Sequence, residues 1–216
     1  MRTVFDIFSR KQKFEEQFEI DCPLANPLNL KFNSLISIPS VYLPNEFTRP
    51  EEDFKLTAID EYTRHLDGAS FVFSDYALVD REGRYSAKLR VYKTEALILN
   101  LSEEMAYSDT MYNILVDTER TGMFEIIEGD SVLHFKRVNN LKRHWDASVK
   151  KLIDADNNGK ITKTDPIITS SIKYWDFVRQ DENNKDVFLI IEMNKENGWI
   201  AMWEGRFIDP QSVTII

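Results

Sequence analysis

The sequence predicts an α+β protein built mainly from antiparallel β-strands, and three patterns support this class. Alternating polar and apolar residues mark strands through the middle of the chain, and turn-forming residues separate them. Two stretches, one at the N-terminus and one at residues 141–153, have apolar residues at helical spacing. The last third holds three strand-like runs joined by short turns, which predicts a C-terminal three-stranded meander.

Composition favours a folded protein that does not bind nucleic acid. The chain has 216 residues, of which 43% are hydrophobic and 12% aromatic, so it can bury a core of useful size. Its formal net charge is -9, whereas nonspecific phosphate contacts need a basic surface. We therefore expect a protein partner and no nucleic-acid partner.

Location is inferred from what the sequence lacks. Cys22 is the single cysteine, so no disulfide can form within the chain, which suits a reducing compartment. No run approaches the ~18 apolar residues of a spanning helix, and the N-terminus lacks the pattern of a secretory signal. These observations predict a cytoplasmic protein.

The N-terminal residues 1–20 are predicted to form an amphipathic helix that precedes one β-rich domain at residues 21–216. Its early phenylalanines recur at helical spacing, with basic residues between them. The helix either packs on the domain or contacts a membrane surface through residues 3–14. A sub-boundary within the domain is predicted near residues 139–166.

The clearest strand is Tyr85–Val91, where apolar residues alternate with Ser86, Lys88 and Arg90 to give one polar face. Residues 70–79 form the preceding strand, and the turn at residues 80–84 makes the pair a hairpin. Further strands are predicted at residues 54–62, 96–101, 123–127, 132–138, 168–180, 187–194 and 199–208.

Two segments have helical character. Residues 102–118 are ambiguous, because Ser102 can cap a helix while residues 111–116 also suit a strand. Residues 141–153 are the better helix candidate, since Leu141, Trp145, Val149, Leu152 and Ile153 share one face at 3.6 residues per turn. On the last predicted strand, Trp199, Trp203 and Phe207 share one face, which predicts core residues.

Residues 154–165 read Asp-Ala-Asp-Asn-Asn-Gly-Lys-Ile-Thr-Lys-Thr-Asp, with oxygen-bearing residues at alternate positions around a glycine. A hard divalent cation takes six or more oxygen ligands, and such a loop can bring them together. This segment resembles the calcium loop of EF-hand and dockerin-type proteins. The resemblance implies Ca²⁺ or Mg²⁺ bound by Asp154, Asp156, Asn158, Lys160 (through its carbonyl), Thr162 (through a water) and Asp165.

Other features of the loop favour a plain turn without an ion. Asp165 stands where the resemblance implies a glutamate, and Pro166 and a β-branched run follow where a helix would be expected. Asp and Asn are also frequent in ordinary turns. Both interpretations remain open, and a bound ion would be held weakly, with Kd on the order of 10⁻⁴–10⁻³ M.

No pattern identifies a catalytic site or an organic cofactor site. His65, His134 and His144 lack the spacing of zinc hydrolases, and the chain has no phosphate-binding glycine loop or nucleophile elbow. Carboxylates are abundant, and Asp75 and Asp80 are nominal acid–base candidates because they flank a predicted strand. The catalytic residues therefore stay unassigned.

The layout as a whole, with a phenylalanine-rich N-terminus before a β-rich body, is similar to that of uncharacterised bacterial families of small cytosolic proteins. This resemblance implies no known activity. From the residues, we expect a non-enzymatic binding protein with a structural divalent-metal loop. The alternatives are an enzyme with an acidic, aromatic pocket lined by a sheet, and a peripheral membrane protein. A broad exposed apolar patch would favour binding, and a pocket with convergent carboxylates would favour an enzyme.

Overall fold

A computed structural model describes residues 35–43, 51–66, 69–92, 95–138, 144–155, 161–163 and 169–216. The described residues form thirteen strands and one α-helix. They are β1 (Leu35–Pro39), β2 (Glu51–Leu66), β3 (Ala69–Asp80), β4 (Ser86–Val91), β5 (Ala96–Ala106), α1 (Asp109–Thr121), β6 (Met123–Glu128), β7 (Ser131–Arg137), β8 (Trp145–Ala155), β9 (Ile161–Lys163), β10 (Thr169–Gln180), β11 (Asp186–Asn194), β12 (Trp199–Ile208) and β13 (Thr214–Ile215).

Eight of the strands close into an antiparallel barrel. Their order around it is β2-β3-β4-β5-β12-β11-β10-β8, and β8 closes the ring because it pairs with both β10 and β2. The remaining strands extend the sheet: β1 and β13 continue from β2, the β6–β7 hairpin continues from β10, and β9 pairs with β8. The barrel therefore joins strands from both halves of the chain.

The predicted α+β class is wrong, because the described residues are mostly β. Their one α-helix, α1, lies in the segment that the sequence left open between helix and strand. The helix predicted at residues 141–153 is also wrong, since Trp145–Ala155 is strand β8. Trp145, Ala147 and Val149 are all buried, at a spacing of two residues. Positions four residues apart share a face in a strand as well as in a helix, so the helical spacing did not distinguish the two.

Several locally encoded elements are confirmed. The β3–β4 hairpin forms as predicted, and the Asp80 carboxylate accepts the backbone N–H groups of Arg84 and Tyr85 at 2.7 and 2.9 Å in its turn. The β6–β7 hairpin is also present. The C-terminal meander is confirmed as β10, β11 and β12, each paired antiparallel with the next.

The ambiguous segment divides into a strand and a helix. Ser102 lies in β5, and α1 begins later, where the Ser108 hydroxyl accepts the N–H of Met111 at 3.1 Å. The helix ends at Gly122, whose φ of 71° is the left-handed conformation that glycine adopts without strain. Leu115 and Thr118 are its buried residues and fix the face that packs on the sheet.

Two hydrophobic cores lie outside the barrel. One is covered by β1 and packs on the outer face of β2–β5; it includes Ile36, Phe54, Leu89 and Ile98. The other is covered by α1 and the β6–β7 hairpin and packs on the outer face of β10–β12. Because both faces of many barrel strands are buried, those strands carry apolar residues outward as well as inward.

Gly205 in β12 is predicted to be intolerant of a side chain. A Cβ atom built on it would lie 1.9 Å from the carbonyl oxygen of Ile98 in β5, so the two backbones would have to separate. We expect Gly205→Ala to lower the free energy of unfolding by about 3 kcal/mol, as severe overpacking does. The measurement is the denaturant midpoint at unchanged m-value. The control Glu204→Ala should change it far less, and a Gly205→Ala loss no larger than that of the control would contradict the prediction.

The N-terminal prediction falls outside the described ranges, as do residues 3–14 with their proposed membrane contact. Among the residues that the structure does describe, no helix is long and apolar enough to cross a bilayer.

Candidate functional site

The interior of the barrel holds a cluster of buried charged side chains. Lys88 on β4 contacts Glu192 on β11, and the sheet order places β5 and β12 between those two strands. A contact between strands that are not neighbours must run across the interior. The polar face that alternation marked on residues 85–91 therefore points into the barrel, while Ala87, Leu89 and Val91 pack on the outside.

Four of these side chains form a charge-balanced quartet. Arg90 binds both carboxylate oxygens of Asp75 at 2.7 Å and also donates to Glu192 at 3.0 Å. Lys88 donates to the other oxygen of Glu192 at 2.7 Å and lies 3.8 Å from Asp75. Two cations and two anions thus neutralise one another in a region closed to solvent, which is what allows ions to be buried at all.

The surroundings favour the charged forms of Glu192 and Arg90. Burial alone would raise the pKa of Glu192, but Lys88 and Arg90 hold it below its usual value. Burial alone would lower the pKa of Arg90, but Asp75 above all raises it well above its usual value. Each ion is therefore stabilised by its partners rather than by water.

Aromatic rings surround the quartet. The Lys88 ammonium lies 4.2 Å from the ring centroid of Trp203, and the Arg90 guanidinium lies 4.4 Å from that of Phe73. Tyr62 stacks on Phe73 with 5.0 Å between ring centroids, and its hydroxyl accepts from Lys88 at 3.3 Å. These rings offer faces that attract cations within a site of low polarity.

A second interior cluster lies beside the first and is centred on Arg64. Its guanidinium stacks 3.7 Å from the ring centroid of Trp145, donates to the Tyr174 hydroxyl and lies 4.0 Å from Asp176. Trp145 in turn donates its indole N–H to Asp176 at 3.3 Å. Each of these groups has a partner within the cluster, so it fixes the packing of β2, β8 and β10.

Four polar atoms on interior-facing side chains make no hydrogen bond. They are Asp60 Oδ1, Trp203 Nε1, Asn194 Nδ2 and Arg64 Nε, although Arg64 donates to Tyr174 through another nitrogen. Trp203 is 8% exposed and Asn194 is 1% exposed, so solvent does not satisfy them. Trp203 lies against Lys88, and Asn194 is two residues from Glu192 on the same face of β11.

Asp60 has an unusual proton affinity for a carboxyl group. Burial raises its pKa to about 6, and the neighbouring Asp75 and Glu192 add to the rise while Lys88 and Lys151 oppose it. Lys151 on β8 is the cross-strand partner of Asp60, so an ionised Asp60 faces this cation as well as the anions of the quartet.

A separate cluster outside the barrel joins α1 to the sheet. One carboxylate oxygen of Glu119 accepts from the backbone N–H of His144 at 2.8 Å, from His144 Nδ1 at 2.9 Å and from Trp175 Nε1 at 3.1 Å. Lys173 donates to His144 Nε2 at 2.9 Å. The arrangement attaches the end of α1 to β8 and β10, which agrees with a structural role for His144.

The predicted metal loop is described only in part. The backbones of Asp154 and Thr162 are paired across β8 and β9, so a β-hairpin stands where the resemblance implies a helix before the loop. Asp156, Asn158, Lys160 and Asp165 lie outside the described residues. Among the residues within them, no group of three His, Cys, Asp or Glu side chains is placed to hold a metal ion. Metal binding at residues 154–165 stays a prediction.

That prediction has a direct thermodynamic test. If the loop binds calcium weakly, calcium at about ten times its Kd should add about 1.4 kcal/mol to the free energy of unfolding. A thermal melt should then shift upward by about 3–5 °C, and Asp156→Asn should abolish the shift. An unchanged midpoint at several millimolar calcium, on the order of the weakest Kd expected, would leave a plain turn.

Sequence reasoning missed Lys88, Arg90, Glu192 and Asp60 as site residues. It singled out Asp75 by its position at a strand end, and the structure places Asp75 in the quartet, whereas Asp80 caps a turn. The available signal was the run 85–91, in which charged residues alternate within an otherwise apolar strand. Alternation defined one polar face but did not show that it points inward, because nothing local shows that a strand is covered on both sides.

Fold and site together define a closed antiparallel barrel with a charged, aromatic interior. Comparison of the chain with models of protein families, with curated proteins and with solved structures finds no match.

Proposed function

We propose that this protein is a non-enzymatic binding protein that holds a small molecule inside the barrel. The observation that carries the proposal is the set of unpaired atoms on Asp60, Trp203 and Asn194. Leaving a buried polar group without a partner costs about 1–3 kcal/mol, and natural proteins keep few such groups. A ligand that supplied the missing partners would recover that energy on binding.

The architecture supports the same proposal. The interior of an eight-stranded barrel is either filled by its own side chains or holds one small ligand. Here Arg64, Tyr174, Trp145 and Asp176 contact one another, while Trp203 and Asn194 leave donors unused and Asp60 leaves an acceptor unused. Rigid strands position these groups, so a ligand would meet a preformed site.

The second candidate function is an enzyme with its active site in the same interior, and one observation favours it. A carboxyl with a pKa of about 6, such as that of Asp60, can accept and return a proton near neutral pH. The two candidates differ in the fate of the ligand. Mass spectrometry after incubation should recover an unchanged molecule if the protein only binds it, and a modified one if it is an enzyme.

Two tryptophans provide a matched test of the binding proposal. Trp203 has an unpaired indole N–H, whereas the indole N–H of Trp145 donates to Asp176. Both substitutions lose indole packing and a contact with a buried cation. We expect Trp145→Phe to lose about 1 kcal/mol more stability than Trp203→Phe, because only Trp145→Phe deprives Asp176 of a donor.

The readout is a thermal-shift screen of a chemically diverse library of small molecules against the full chain. Ligands of the interior should raise the melting temperature of the wild type and of Trp145→Phe but not that of Trp203→Phe. A library without a single such ligand, or ligands that stabilise all three proteins equally, would contradict the proposal.

A further inference from the structure

The cluster that joins α1 to the sheet outside the barrel contains a carboxylate, an imidazole and an amine in a row. Glu119 Oε1 lies 2.9 Å from Nδ1 of His144, and Nε2 of the same ring lies 2.9 Å from the amine nitrogen of Lys173. Glu119 comes from α1, His144 directly precedes β8, and Lys173 lies in β10. Lys173 is on the outer face of β10, because Trp175, two residues further, belongs to the core beneath α1.

The hydrogen bonds determine which ring nitrogen of His144 carries the proton. A carboxylate only accepts, and Glu119 already accepts from two groups that only donate, the backbone N–H of His144 and the indole N–H of Trp175. Nδ1 of His144 therefore donates to Glu119. An ammonium also only donates, so Nε2 supplies the lone pair that accepts from Lys173. A basic ring nitrogen thus faces an amine.

This order of groups matches the arrangement that activates nucleophiles in enzymes. There a base lies within about 2.6–3.2 Å of the nucleophile, and a third group orients the base. His144 Nε2 can take a proton from Lys173, and the carboxylate of Glu119 stabilises the resulting imidazolium. The contact between His144 and Lys173 is not needed to join β8 to β10, because their backbones are already paired along the strands.

The surroundings of the amine suit a small apolar reactant. Lys173 is half-buried and the side chain of His144 is 16% exposed, so a reagent can approach from solvent. The amine nitrogen of Lys173 lies 5.9 Å from the ring centroid of Tyr112, and the centroids of the His144 and Trp175 rings are 5.3 Å apart. These rings supply apolar surface beside the amine.

We propose that Lys173 is a reactive lysine that forms a Schiff base with a small aldehyde or ketone. His144 takes one proton from the Lys173 ammonium, and the freed amine attacks the carbonyl carbon to form a C–N bond. The nitrogen then loses a second proton, His144 returns the first, and the carbonyl oxygen leaves as water. The products are a protonated imine and one water molecule, so no oxidant or reductant takes part. Glu119 acts as a positioning residue for His144.

The test treats the full chain with benzaldehyde and with enough cyanoborohydride that imine formation limits the rate. Reduction gives a stable benzylated lysine, which peptide mapping locates. Lys195 is the internal control, because its ammonium also faces a tyrosine ring, that of Tyr107 at 5.5 Å, but its hydrogen bond goes to that tyrosine and not to an imidazole. We expect Lys173 to be labelled at least about tenfold faster than Lys195 at pH 7.5, as general-base catalysis predicts.

The pH profile distinguishes a proton carrier from simple exposure. The reactive state of Lys173 shares one proton between amine and imidazole, and this state persists between the pH ranges in which imidazoles and amines ordinarily titrate. Between pH 7.5 and 9 the labelling of Lys173 should stay nearly constant, whereas that of Lys195 should rise about tenfold per pH unit. The titratable groups packed around the pair are Glu119 and Tyr112 from α1, Arg137 from β7 and Asp146 from β8.

Two variants test the roles of His144 and Glu119. His144→Gln can still accept from Lys173 but cannot carry a proton, so labelling of Lys173 should fall at least about tenfold and acquire the pH dependence of Lys195. Glu119→Gln keeps an acceptor oxygen, but its amide can also donate to Nδ1 and leave the proton on Nε2. It should therefore abolish the range of constant labelling as well, while Lys195 is labelled as in the wild type.

Two outcomes would overturn the inference. One is a wild-type protein in which Lys173 and Lys195 are labelled at the same rate with the same rise with pH, a comparison that needs no variant to fold. The other is unchanged labelling of Lys173 in His144→Gln. The site lies outside the barrel, so neither outcome affects the proposed binding function, which the thermal-shift screen tests separately.

Discussion

Replacing Glu192 with glutamine is expected to lower the free energy of unfolding by about 3–5 kcal/mol, the usual effect of removing one partner from a buried ion pair. Glu192 accepts from both Lys88 and Arg90 in the barrel interior. Arg90 keeps its two bonds to Asp75, but Lys88 is left beside a neutral amide. The measurement is chemical denaturation at pH 7, with the melting temperature expected to fall by roughly 10 °C.

A double-mutant cycle shows whether this loss comes from the pair itself. Lys88→Met removes the cation that Glu192→Gln leaves unpaired, so the double variant should be more stable than the sum of the two single effects predicts. Glu103→Gln, which changes an exposed glutamate on β5, should have little effect. Additive effects at positions 88 and 192 would show that the two charges do not interact as the quartet requires.

Asp60→Asn is expected to have the opposite sign at neutral pH and to stabilise the free protein by about 2–3 kcal/mol. Burial raises the pKa of Asp60 from 3.8 to about 6, so the folded state holds this proton more tightly than the unfolded state. The resulting stability is fully present below pH 3.8 and is lost as the pH rises to about 6. Each pKa unit corresponds to about 1.4 kcal/mol, and asparagine does not ionise.

The pH dependence is the decisive measurement for this variant. The difference in unfolding free energy between Asp60→Asn and the wild type should be large at pH 7.5 and should shrink by about 2–3 kcal/mol at pH 4. This comparison cancels any constant effect of the amide on packing. A difference independent of pH would show that Asp60 is not buried in its ionised form.

The two variants together distinguish structural from functional polar groups. Glu192 contributes to stability because its partners are already in place, so its loss should weaken the fold. Asp60 reduces stability at neutral pH because burial raises its pKa, so its loss should strengthen the fold. A buried group that a protein retains at the expense of stability is expected to serve function.

Much of the secondary structure was predictable because its signals are local. The β3–β4 hairpin followed from alternation and from the turn at residues 80–84, and Asp80 does cap that turn. The C-terminal meander followed from turn residues between strand-like runs. The segment 145–155 was mispredicted because its apolar spacing suits a helix, whereas its pairing with β2 and β10 is set by residues far along the chain.

The candidate site was largely beyond prediction because its members come from strands that are distant in sequence. Lys88 and Glu192 are 104 positions apart, and their contact exists only after the barrel has closed. Alternation showed that Lys88 and Arg90 share a face. It did not show that this face points inward, because the opposite face is also buried beneath β1.

The sequence by itself determined the strands, the tight turns and the order of the C-terminal meander, since period-two alternation and turn residues act over a few neighbouring positions. Tertiary structure alone decided that β8 is a strand, which face of each strand points inward and which buried charges meet. Those features depend on ring closure, which brings opposite strands together across the interior and leaves Asp60 Oδ1, Trp203 Nε1 and Asn194 Nδ2 without a hydrogen bond.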